Sequence, residues 1–335
     1  MQQYFLHEGM EAQKHLFELV KKKIEKRNGL PFVIEELLGM SSDSAYRRIS
    51  GKKELTISEL QKICGAFNIS MDEILNYKSE QGALFHYGPL VISDQNSPLI
   101  QIKRMMEDLK GLKSATEKEM FFSAMDVPFY HFAKFPELAF FRQYVWSDSM
   151  NRKPLSFNEF CRQLDKEKMV SIFEQYHLTM AHIPTKEIWT EQTVDSILRL
   201  MEHYYATGAF ENKSTVFSLL NQLSSVFDVL KRYADDGHKG GLLKTPYYQY
   251  LSHVYLESAI MLIRKNDHYY CSIRLNTLNS ITTDNEEICL RLRKWMEDAI
   301  VKSTQISSIS VKERATFYRT AKNKIENLRK KIVTN

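Results

Sequence analysis

From residue 11 to residue 75 the apolar residues return at intervals of three and four, and glycine or asparagine halts each stretch within about two dozen residues. That pattern builds short amphipathic helices folded against one another and excludes strands, which need alternation. Leu16, Leu19, Val20 and Ile24 stripe a first helix over 11–27, closed by Asn28 and Gly29, which tolerate a left-handed backbone. Pro31 is harmless in the first turn of a second helix carrying Phe32, Val33, Ile34, Leu37 and Leu38, and Gly39 stops it. Ser41 or Ser42 caps a third helix, with Ala45, Tyr46 and Ile49 expected inward and Arg47 and Arg48 outward. A fourth runs over 56–67 with Ile57, Leu60, Ile63, Cys64 and Phe67. A fifth opens at Ser70, has Glu73 three residues on, and closes through Ile74 and Leu75.

Five short helices with a tight turn between the second and third make a helix-turn-helix unit. The runs Leu37-Leu38-Gly39-Met40-Ser41 and Tyr46-Arg47-Arg48-Ile49-Ser50-Gly51-Lys52-Lys53 resemble the Cro/repressor-type (Xre-like) DNA-binding domain, as does 55–75, which ends Asn68-Ile69-Ser70-Met71-Asp72-Glu73-Ile74-Leu75. Glu35 stands where that family carries a small alanine, and the turn reads one residue longer, with Tyr46 and Ile49 at the core positions of the third helix. The resemblance implies a third helix in the major groove of double-stranded DNA. Carried over residue by residue, Asp43, Ser44 and Arg47 are the base-edge candidates and Arg48, Lys52 and Lys53 the phosphate candidates. It also implies a homodimer, because one such module covers half a site.

Charge supports this only locally. The net charge is +5, yet the first 80 residues balance, and residues 300–335 carry nine basic side chains against two acids. Residues 42–53 hold four basic side chains against one acid, a positive face on a neutral domain. Lys21-Lys22-Lys23 with Lys26-Arg27 reads as a solvated helix face.

Residues 77–98 lose helical spacing and read as a linker between a domain at 1–76 and a second at 99–335. Glycine and proline are scarce, 12 and 8 in 335 residues, which favours helices. Leu99, Ile102, Met105, Met106 and Leu109 stripe one helix, and others are expected over 157–163, 169–176, 190–207 and 216–233. Ten aromatics fall within 119–146, interrupted by Val127-Pro128 and Phe135-Pro136, so two or three helices are expected there. Those rings form a core or, in the sharper reading, a pocket for a small-molecule or peptide effector with Phe129, Tyr130, Phe132, Tyr144 and Trp146. Alternation on either side of Lys265-Asn266-Asp267-His268 predicts a β-hairpin near 254–275, with 247–250 as a candidate third strand. Ile288, Leu292, Trp295, Met296 and Ile300 mark a further helix. In the last one, Phe317, Ala321, Ile325, Leu328 and Ile332 form a seam for the domain itself or for a second subunit. Met125-Asp126-Val127-Pro128-Phe129 and Lys302-Ser303-Thr304-Gln305-Ile306-Ser307 look like stretches of long Cro-like regulators. The expected fold is mainly α: a five-helix Cro/repressor-like domain, then a larger helical effector or oligomerisation domain with a small antiparallel hairpin or three-stranded sheet.

Enzyme signatures are missing. Cys64, Cys161, Cys271 and Cys289 lie too far apart for metal-ligand spacing, and Asp236-Gly237-His238-Lys239-Gly240-Gly241 reads as a connecting loop, not a phosphate cradle. No catalytic set, metal or cofactor is expected. No apolar run approaches a membrane span, and the first eight residues lack a basic-then-apolar leader, so a cytoplasmic protein is expected. The leading expectation is a sequence-specific transcriptional regulator. The alternatives are an interaction scaffold built on a helix-turn-helix-derived module and an enzyme using the aromatic segment.

Overall fold

A computed structural model describes residues 2–24, 29–71, 74, 83–88, 97–113, 115–149, 155–254, 256, 259–276 and 279–334. By its internal contacts the chain divides into two units, Met1–Leu84 and Phe85–Asn335.

The first unit holds α1 (Gln2–Lys23), α2 (Leu30–Leu38), α3 (Ser42–Ile49) and α4 (Ile57–Phe67). Gly39 takes the left-handed conformation (φ 66°) that ends α2, and its N–H donates to the Glu35 carbonyl. Thr56 and Glu59 form a reciprocal capping box that starts α4. Leu16, Phe17, Val20, Ile34, Ala45 and Ile63 make the core. The expected fifth helix, residues 70–75, falls largely outside the described residues.

In the second unit helices predominate, but the expected small hairpin or three-stranded sheet is overturned by an eight-stranded mixed sheet. Its strands are β1 (His86–Tyr87), β2 (Lys118–Ala124), β3 (Thr185–Trp189), β4 (Tyr247–Leu251), β5 (Ile260–Lys265), β6 (His268–Asn276), β7 (Asn279–Thr283) and β8 (Thr304–Gln305). The spatial order is β1-β7-β6-β5-β2-β3-β4-β8; β2, β3 and β4 run parallel, and the other pairings are antiparallel. The hairpin exists as β5 and β6, with Asn266 at φ 53° in its turn. The strand at 247–251 does not flank it, since β2 and β3 lie between. Nor is the start of the aromatic segment helical: β2 occupies it, a short 3-10 turn (Phe129–His131) follows, and Pro136 opens the first true helix.

Helices cover both faces: α5 (Ser97–Lys113), α6 (Pro136–Asp148), α7 (Phe157–Arg162), α8 (Lys166–Ala181), α9 (Asp195–Ala206), α10 (Lys213–Asp236), α11 (Glu286–Val301) and α12 (Val311–Thr334). On one face α11 buries Cys289 and Met296 against Phe121, Ile188 and Leu262. The larger core fills the other face, and there Phe317, Ala321, Ile325, Leu328 and Ile332 of α12 are all buried, with α12 packed on α9 and α10. Lys322 pairs with Asp228, and Lys331 with Glu202, along the same contact. The closing seam therefore serves its own domain. No described helix is long and apolar enough to cross a membrane.

Candidate nucleic-acid interface and effector cavity

The third helix keeps Ala45 and Ile49 inward as expected, with Ala45 fully buried and Ile49 half-buried against the core. Tyr46 and Arg48 exchange sides: Arg48 is 6% exposed, whereas Tyr46 is 58% exposed and joins Asp43 and Arg47 on the outer face. Arg48 does not point to solvent: its Nη2 and Nε donate to the two Glu59 oxygens at 2.7 and 3.0 Å, and its Nη1 donates to the Ser44 carbonyl at 3.2 Å. This fork-to-fork pairing holds the Glu59 carboxyl below its ordinary value. From α1, the Gln13 amide donates to the Arg48 and Lys53 carbonyls at 2.7 and 2.9 Å and accepts from the Leu55 N–H at 2.9 Å. One glutamine therefore ties off the end of α3 and the loop that carries Lys52 and Lys53. Lys23, at the end of the basic run in α1, donates to the Phe67 and Asn68 carbonyls at the C-terminus of α4.

The outer face of α3 remains open. Arg47 and Asp43 form an exposed ion pair at 3.0 Å, one turn apart, Ser44 is half-buried with its hydroxyl on Ser41, and Lys52 and Lys53 are exposed. Of the six DNA candidates, five stay on the accessible surface, and Arg48 is withdrawn from it because Glu59 and Ser44 occupy its nitrogens. Tyr46 is the outward side chain that apolar spacing misassigned, since an aromatic residue next to Ala45 reads as core.

In the larger unit, three of the five aromatic candidates meet at one cavity. Phe129, Tyr130 and Trp146 line a space of about 500 Å3, with the Phe129 and Trp146 rings 5.0 Å apart. Phe132 and Tyr144 lie elsewhere in the core, and the Tyr144 hydroxyl donates to the Leu155 carbonyl. The cavity floor is sheet, from β2 across β5 and β6 to β7. Its charged corner is Asp126, held between Arg142 and Arg274 at 2.9 Å each. Sequence spacing gave no hint of that corner, because the three residues lie up to 148 positions apart.

Behind the cavity sits a closed polar cluster. Glu187 of β3 is fully buried and accepts from the Tyr130 hydroxyl, from His131 Nε2 at 3.0 Å, from Trp189 Nε1 at 2.8 Å and from the Tyr247 hydroxyl at 3.2 Å. Burial pushes its carboxyl up, but the His131 charge and the donated hydrogen bonds outweigh that and leave it below its ordinary value. The Lys239 ammonium donates to the Met180 and Ile183 carbonyls at 2.8 Å each, and burial brings it down to about 7. The adjoining space is about 10 Å3, room for one water at most.

The N-terminal geometry is that of a helix-turn-helix domain of the regulator kind. The family model for the BetR domain matches residues 17–91, which covers α2, α3 and α4 and most of their core. No curated protein and no solved structure matches the chain.

Proposed function

We propose that the chain is a sequence-specific DNA-binding regulator of the Cro/repressor kind rather than an enzyme, acting as a homodimer whose larger unit takes a small effector. The observation that carries this reading is the open outer face of α3 on a helix whose inner face is locked by Arg48, Glu59 and Gln13. A side chain can read a base edge only from a platform that does not shift on contact. Arg47 then reaches a guanine edge with its planar fork, and Asp43 orients it from one turn earlier. Ser44 adds a short-range contact, and Lys52 and Lys53 neutralise phosphates at the end of the helix. Arg48 acts as a positioning residue. Two copies on half-sites one helical turn apart supply the affinity that a single module lacks.

Selection of bound duplexes from a random library, followed by titration of the enriched site, tests the reading. Arg47→Ala is expected to cost about 1–3 kcal/mol, concentrated at one base pair per half-site. A library that yields no enriched sequence, or a selected site that Arg47→Ala binds unchanged, overturns it.

A further inference from the structure

Strand alternation puts Met261 and Ile263 of β5 and Tyr270, Ser272 and Arg274 of β6 on the sheet face that carries Phe122 of β2. In β2 through β4 that face is covered by the main core, whereas towards β6 it forms the cavity floor, with Tyr270 and Arg274 exposed. The volume of about 500 Å3 lies within the range of small-ligand sites. Its inner end is apolar, supplied by residues such as Ile102 and Leu109 of α5 with the Phe129 and Trp146 rings.

The polar end decides the sign of the ligand. Asp126 lies just beyond the C-terminal end of β2, where ligands collect in open α/β sheets. Two guanidiniums face this single carboxylate, so the corner carries an excess positive charge. Arg142 is buried and lies over the Trp146 ring at 5.3 Å, so the aromatic face that would attract a cationic ligand already holds a cation. Arg274 is 39% exposed and meets Asp126 through Nη1 alone; among the described residues its Nε and Nη2 have no partner. The remaining charged side chains of the lining, Lys265 and Asp284, are opposite in sign and leave the excess standing.

We infer that this cavity binds an amphipathic monoanion, a small organic acid with an apolar ring system or chain, whose acid group pairs with the free edge of Arg274 while its body lies along the floor towards α5. The inference rests on the reading of the larger unit as an effector-binding domain, and adds to it the ligand's chemistry and seat.

Three naphthalene dyes of similar size, titrated by fluorescence into the full chain without DNA, test it: anilinonaphthalene sulfonate, neutral phenylnaphthylamine and a trimethylammonium analogue. The sulfonate is expected to bind saturably and at least about tenfold tighter than the other two. Arg274→Gln is expected to weaken the sulfonate about tenfold and to leave the neutral dye within about twofold. Met261→Trp, which fills the floor, abolishes binding of both, and Ser272→Phe does the same if the first variant fails to fold. Absence of saturable sulfonate binding, preference for the cation, an equal effect of Arg274→Gln on both dyes, or sulfonate binding that survives in folded filling variants overturns the inference. Because no DNA is present, loss of the DNA reading leaves a positive dye result intact, and a failed dye titration leaves the DNA reading intact.

Discussion

A guanidinium removed from water is tolerated when its nitrogens find acceptors, and Arg48 meets that condition with Glu59 on one edge and the Ser44 carbonyl on the other. Glu59 does two jobs, since the same carboxylate also accepts the Thr56 N–H at the start of α4. Glu59→Ala is therefore expected to lower the local stability of α3 and α4 by about 3–5 kcal/mol, because it strands a buried charge and removes a cap. Arg48→Met combined with Glu59→Gln, which leaves no stranded charge and keeps an acceptor for the Thr56 N–H, should stay within about 1 kcal/mol of the wild type. Native-state hydrogen exchange on the α3 and α4 amides measures both, and DNA affinity of the double variant within about twofold separates positioning from phosphate contact. Lys239 yields a pH signature. A neutral amine has two N–H donors, and the Met180 and Ile183 carbonyls use both. The unfolded lysine holds its proton to about pH 10.4, while the folded one releases it at about 7, so between these values the unfolded chain binds more protons and stability rises with pH. Urea unfolding between pH 7 and 9 should show that rise in the wild type and a flat profile in Lys239→Met; equal slopes would contradict the burial argument.

Elements were legible wherever a single face is buried. The helices α1 to α4, α10 and α12 announce themselves by intervals of three and four, and β5 with β6 by alternation around Lys265-Asn266-Asp267-His268. The central strands carry no such signal because both of their faces are covered. In β2, Met120, Phe121, Ser123 and Ala124 are buried on both sides, and a continuous apolar run of that length reads equally well as helix. β3 is five residues long and carries Glu187 and Lys186, so it resembles a loop after Pro184 until Tyr130, His131, Trp189 and Tyr247 converge on the carboxylate. The same limit governs the sites. On the N-terminal domain Asp43, Ser44 and Arg47 could be placed by their position on one helix and Lys52 and Lys53 by the loop that follows it, whereas helical spacing cannot tell a buried arginine with a distant acid, as Arg48 is, from an exposed one. In the cavity the aromatic wall was visible as local ring density, whereas Asp126 and Arg274 meet only through the sheet.

At the scale of the whole molecule, the net charge of +5 is a poor guide to where nucleic acid would bind. Five of the nine basic residues in 300–335, Arg314, Lys322, Lys324, Arg329 and Lys331, hold acids of their own domain. Much of the excess thus fastens α12 to its own domain, to α9 and α10 above all, instead of creating a field for DNA. The phosphate contacts available to the proposed reading are then few: Lys52 and Lys53 in each copy, since Arg47 goes to a base and Arg48 is internal. Four neutralised phosphates in a dimer correspond to a slope of about −3.6 in log affinity against log salt, a loss of about 150-fold between 50 and 200 mM. Anisotropy titrations of the selected duplex over that range check the count, and Lys52→Gln with Lys53→Gln should reduce the slope to near zero while the preferred sequence stays the same. A slope of −7 or steeper would mean that cations beyond the α3 region, those of α12 first, reach the backbone, whereas a shallow slope in the wild type would remove the phosphate role from both lysines.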